Sequence, residues 1–204
     1  MKKVVLILLA FGIIGIWSSA PAFALQLDFK PSAQTIGLGG TAIVDIVATL
    51  AGATAPEIVS AYDLDVAYDP SIVTAVALSF GNMLGGPSDS LQSAVGTSGL
   101  VDLAELSFLS DAALAALQGT GPITLATLYF SGDNLGTSPL TFANYGDGFN
   151  DIKGANNDPY LTPTLNSGSI TVVTTGVPEP ASLLMLLLGL LPLAGTTYRR
   201  KTGK

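Results

Sequence analysis

Polar and apolar residues alternate along most of the central chain. Leu25-Gln26-Leu27-Asp28-Phe29 has the two-residue period of a half-buried strand, and Lys30-Pro31 ends it. Gly37-Leu38-Gly39-Gly40 reads as a turn. Thr41 to Leu50 (TAIVDIVATL) is a β-branched run, broken from Gly52 to Pro56. Ile58 to Tyr68 (IVSAYDLDVAY) alternates again, with Val59, Ala61, Leu64, Val66 and Tyr68 as its apolar positions, and Asp69-Pro70 closes it. Val73 to Phe80 predicts a further strand ending at Gly81, and the polar, glycine-rich stretch Gly85 to Ser98 predicts a loop. Leu100 to Phe108 alternates, whereas Ile123 to Phe130 (ITLATLYF) is nearly all apolar or β-branched, as in a buried central strand. Leu140 to Phe142 and Ser169 to Val173 complete the set, with a Gly/Asn/Asp-rich loop between them.

One segment departs from this period. Ser110 precedes Asp111-Ala112-Ala113-Leu114-Ala115-Ala116-Leu117, which favours helix, and Gly119 follows as a stop. Eight or nine short strands with one short helix predict an all-β sandwich. The chain shows no repeat of 20–50 residues, which argues against a propeller or solenoid.

The two ends follow a different pattern. Met1-Lys2-Lys3, the apolar run Val4 to Trp17 and the small-x-small triplet Ala22-Phe23-Ala24 form a secretory signal peptide over 1–24, with cleavage expected after Ala24. At the other end, Val177-Pro178-Glu179-Pro180 is a stiff polar tag. The apolar run that begins at Ala181 follows it, and Arg199, Arg200 and Lys201 form a basic stop. The segment 181–198 has 18 residues with Gly189 and Pro192 inside. A spanning helix wants about 20, so this is a marginal span that suits a transient handle. Between the ends lies one domain-sized piece, 25–175.

This three-part tail, 176–204, resembles the PEP-CTERM sorting signal of Gram-negative bacteria. The resemblance implies recognition of Pro178, Glu179 and Pro180 by an exosortase, a membrane-embedded cysteine protease-transpeptidase. It also implies export with a transient stay in the inner membrane, then release to the cell surface or extracellular matrix. A plain C-terminal membrane anchor is the alternative.

Charge and composition narrow the function of the middle. It carries 14 of the 15 carboxylates against two lysines, Lys30 and Lys153, a net charge of −12. Such a surface repels nucleic acid and anionic lipid. Solubility outside the cell is the simplest account of it. With no Cys and no His in 204 residues, disulfides, a cysteine nucleophile, a Ser-His-Asp triad and His or Cys zinc sites are excluded.

A second resemblance rests on the domain's own strands. Thr41-x-Ile43-x-Asp45-x-Val47, Ala61 to Pro70 with its Tyr68-Asp69-Pro70 turn, Leu100 to Ala104, Ile123 to Phe130 and Gly168 to Val172 are similar to the strands of a cohesin-like domain. The resemblance implies a nine-stranded jelly-roll sandwich related to cellulose-binding modules, in a family whose best-known members bind dockerin modules. The only Trp, Trp17, lies in the signal peptide, which speaks against a flat aromatic platform for crystalline cellulose.

Candidate chemistry is sparse. Asp147, Asn150, Asp151, Asn156 and Asp158 could supply oxygens to calcium, but their spacing is not that of an EF-hand, and Asn, Asp and Gly also dominate ordinary turns. The turn is the stronger reading, and no cofactor is expected. Asp63 and Asp65 share one strand face, expected to be the wet one; with Glu57 and Glu105 they are the carboxylates a glycosidase reading would draw on. Asp69 reads as a turn former before Pro70, and Gly37 to Gly40 lacks the lysine and helix of a phosphate loop. The expectation is a secreted, non-enzymatic sandwich in a biofilm matrix that binds exopolysaccharide, with a cohesin-type protein adaptor as the alternative. A matrix polysaccharide hydrolase is the weakest reading.

Overall fold

The computed structural model describes residues 24–51, 57–145, 151–158 and 163–174. Two sheets face each other across one core. The first has the order β11-β1-β3-β8-β5, built from β11 (Thr164–Leu165), β1 (Ala24–Lys30), β3 (Thr41–Ala51), β8 (Ile123–Gly132) and β5 (Val73–Phe80). The second has the order β2-β12-β9-β4-β7-β6. Its strands are β2 (Ala33–Gly37), β12 (Gly168–Val173), β9 (Gly136–Ala143), β4 (Ala61–Ala67), β7 (Leu100–Ser107) and β6 (Ser90–Thr97). A short strand, β10 (Asp151–Lys153), continues the edge of β4 beyond β9.

The first and last strands each switch sheets midway. β1 runs in the first sheet and, past the cis Lys30–Pro31 bond, continues as β2 in the second. β11 and β12 do the same through Asn166 and Ser167, running parallel to β1 and β2. Counting each broken strand once and setting β10 aside gives the nine strands of the predicted all-β sandwich.

Alternation fills the core. Leu25, Leu27 and Phe29 of β1 point inward, as do Val44 and Ile46 of β3, Leu128 and Phe130 of β8, and Tyr62, Leu64 and Val66 of β4. Phe29 and Phe142 stack with centroids 4.4 Å apart. Gly168 lies directly against that stack, where a Cβ would come within 2.9 Å of Phe29.

The helix, α1 (Asp111–Gln118), has the predicted caps: Ser110 Oγ accepts from the Ala113 N–H, and Gly119 takes φ 64° while its N–H donates to the Ala115 carbonyl at 3.1 Å. Leu114 and Gln118 are its buried residues.

Three expectations need correction. Gly85 to Ser98 is not all loop: Ser90 to Thr97 is β6, an edge strand. Only Ser90 of it is buried, so it has no apolar period to reveal it. The strand expected over Ile58 to Tyr68 begins at Ala61. Ile58 and Val59 are buried ahead of it, and Gln118 of α1 supplies the hydrogen bonds a neighbouring strand would give: its Oε1 accepts from the Val59 N–H (2.8 Å) and its Nε2 donates to the Val59 carbonyl (2.6 Å). Finally, the Gly/Asn/Asp-rich stretch contains β10 and β11, too short to show a period. The signal segment before Ala24 and the hydrophobic segment 181–198 lie outside the described residues. No helix among the described residues is long and apolar enough to cross a membrane.

Candidate functional site

The outer face of β10-β4-β7-β6 is organised in cross-strand rows. Leu91, Leu106, Ala61 and Lys153 form the first, Ser93, Ala104, Asp63 and Asp151 the second, and Val95, Asp102, Asp65 and Ala143 the third. The rows follow from the two-residue period: on β4, β7 and β10 the alternate residues enter the core, while β6 buries only Ser90. Leu91, Val95 and Leu106 are 62%, 55% and 44% exposed. Leu91 and Leu106, together with small Ala104 and Ser93, border a shallow depression of about 380 Å³, whose opposite rim carries Asp63, Asp151 and Lys153.

The electrostatics of this face are one-sided. Asp63, Asp65, Asp102 and Asp151 stand against one lysine, and Lys153 is already bound to Asp151. Asp65 and Asp102 are directly opposed across the β4–β7 ladder, an unfavourable arrangement of like charges. Partial burial, and then the charge of Asp65, hold the Asp102 carboxyl above its ordinary range. Asp65 itself is buried, against the expectation of a wet position; Asn144, in the left-handed region at φ 55°, reaches over it and donates from Nδ2 to its Oδ2 at 3.2 Å. The short Asn side chain tolerates that backbone, which is what places Asn144 over β4.

Beneath the depression the core side of β7 carries Glu105. Ser90 Oγ (2.7 Å) and Gln92 Nε2 (2.8 Å) donate to its Oε1, and the Tyr62 hydroxyl lies 3.1 Å from Oε2 and 2.9 Å from the Leu125 carbonyl. Burial, and secondarily the Glu105 charge, push the Tyr62 hydroxyl far above its ordinary value, so it serves only as a neutral donor. This network pins the floor of the site from within.

The residues proposed from sequence fall in three groups. Asp63, Asp65 and Asp151 are brought together on this outer face, with Asp102 added by register. Of the five calcium candidates, Asp151, Asn156 and Asp158 are among the described residues. Asp151 pairs with Lys153, Asn156 at φ 54° donates its N–H to Asp111 Oδ2, and Asp158 closes a 3₁₀ turn with Ala155. Asp147 and Asn150 lie outside the described residues, and among the described residues no three carboxylates are placed to hold a metal ion. Asp69 binds Ser71 through both N–H and hydroxyl, the turn-forming role expected of it. Pro178, Glu179, Pro180, Ala22, Arg199, Arg200 and Lys201 lie outside the described residues, and Ala24 opens β1. The apolar Leu91–Leu106 pair was missed, because Leu91 lay in an expected loop and Leu106 read as one more alternating position.

No family model and no curated protein matches this chain. Solved structures do. The third ScaC cohesin of Acetivibrio cellulolyticus, in complex with a ScaB dockerin, is 20% identical with a TM-score of 0.56, covering 74% of this chain and 99% of that one. A cohesin of Clostridium thermocellum OlpA in complex with a dockerin is 15% identical with a TM-score of 0.55, at 74% and 99% coverage. CaCohA2 of Clostridium acetobutylicum is 20% identical with a TM-score of 0.56, at 76% and 94%. The architecture is that of a cohesin β-sandwich.

Proposed function

We propose that the domain is a non-enzymatic docking module that binds a partner protein through the outer face of β10-β4-β7-β6. The observation that carries this reading is the open Leu91–Leu106 pair, with Val95 beside it, set against four carboxylates. Its complement is a partner that seats an apolar side chain in the depression and flanks it with lysine or arginine. That several cohesin-fold neighbours were solved with dockerin partners supports the protein-docking reading over polysaccharide binding. Among the described residues, no aromatic ring stands in the three cross-strand rows.

Delivery belongs to the same proposal. Residues 1–24 direct export, and Pro178-Glu179-Pro180 with the segment 181–198 and Arg199, Arg200 and Lys201 form the handle for exosortase sorting to the surface or matrix of a Gram-negative cell. Secreted material whose intact mass still includes Lys204 would overturn this part.

The docking test compares capture from the host's secreted fraction by the exported chain and by its Leu106→Asp variant, with bound protein and bound sugar assayed separately. One protein retained at stoichiometric yield, lost on the variant and eluted by salt, is the expected result. Polysaccharide retained equally by both forms would reverse the reading.

A further inference from the structure

Three exposed apolar side chains crowd the end of the sandwich from which the chain leaves it. Leu38, Val173 and Leu135 are 51%, 41% and 52% exposed. Val173 is the last residue of β12; the Leu38 N–H donates to its carbonyl at 2.9 Å, and Gly37 is its partner on β2. On the other flank Val172 pairs with Gly136, so Leu135 falls beside Val173. Leu38 and Leu135 both stand in turns next to glycine, positions that in water usually carry polar residues. Two separate turns thus present leucine at the same end. The carboxylate there, Asp133, is engaged by Thr74 Oγ1, and neither lysine of the described chain lies on these turns.

Where the chain goes next selects the occupant. Six residues separate Thr174 from Ala181, where the apolar run begins. At full extension they reach only about 20 Å. We infer that this end of the sandwich rests on a lipid surface while the tail is in place, with Leu38 and Leu135 entering the headgroup boundary beside the exit strand. The inference rests on reading 181–198 as a membrane segment. Apolar area at the boundary favours contact, and the acidic domain favours zwitterionic over anionic lipid. The docking depression is carried on the far part of the sheet. Seven residues of β9 from Gly136 to Ala143 and two of β4 from Asp65 to Asp63 separate the two levels. That is about 30 Å of strand, so the docking face stays clear of the membrane.

The absence of cysteine makes a clean test. Leu38→Cys, Leu135→Cys and Leu91→Cys variants of the exported chain, Leu25–Lys204, are each labelled with an environment-sensitive fluorophore and mixed with phosphatidylcholine vesicles. All three positions are exposed, so folding is undisturbed. The expected result is flotation with the vesicles, with a blue shift and loss of iodide quenching at positions 38 and 135 and no change at 91. A chain that floats while positions 38 and 135 stay as quenchable as 91 overturns the inference and leaves the membrane-segment reading standing. A chain that does not float refutes that reading, and the inference falls with it.

Discussion

Glu105 is a carboxylate on the core side of a strand, held by Ser90, Gln92 and Tyr62. Removing a buried acceptor leaves its donors unpaired, which costs more than the bond itself was worth. Glu105→Ala is therefore expected to lower stability by about 2 kcal/mol, read as a lower urea midpoint at unchanged slope. Glu105→Gln retains an acceptor for Ser90 and should lose less. Equal stability of both variants with the parent would show that water replaces the network. In the sequence Glu105 reads as a polar residue in an alternating strand and as one of the carboxylates a glycosidase would draw on. Its inward direction became visible through register, since Val101, Leu103 and Glu105 share a face.

At the scale of elements, legibility followed burial on one face. β1, β3, β7, β8 and β12 each bury alternate residues, and their period was readable. The Ser110 and Gly119 caps made α1 readable as well. β6 was not, because an exposed edge strand has no apolar face to repeat. Ile58 and Val59 look like strand residues, yet the Val59 backbone is satisfied by a helix side chain, Gln118, that no local pattern connects to it. The docking face shows the same division. Its aspartates were singled out as chemistry-bearing residues, but their alignment with Leu91 and Leu106 depends on pairing across strands far apart in sequence.

For the whole molecule, charge sets the pH response. Burial holds the Glu57 carboxyl above its ordinary value, and burial together with Asp65 does the same for Asp102. The stability from such groups is fully present below their ordinary pKa and is lost as pH rises through the raised one. Asp28 and Asp69 behave oppositely. Burial works to raise Asp28, but hydrogen bonds from Gln26 and Asn166 and the charge of Lys30 outweigh it, and Ser71 lowers Asp69. Their contribution is present above the ordinary value of 3.8 and lost as pH falls through the lowered one. A net charge of −12 adds self-repulsion near neutrality. The melting temperature should rise on acidification from neutral pH towards the ordinary carboxylate values of 3.8 and 4.5, then fall below them. A scanning-calorimetry series that falls steadily from neutral pH would contradict this balance.

The sheet-switching strands also decide how the domain answers tension. Ala24 and Thr174 leave at opposite ends, and the strands that lead to them are parallel neighbours: β1 beside β11 and β2 beside β12. A pull on the two termini drags these neighbours in opposite directions, so their hydrogen bonds are loaded side by side in shear. A pull between Ser90 and Ser107, paired at the open end of the β6–β7 hairpin, peels bonds one at a time. In force spectroscopy, where rupture reports the unfolding barrier, the terminal pull should require the larger force, and equal forces would contradict it. The domain is thus built to bear load applied along its length.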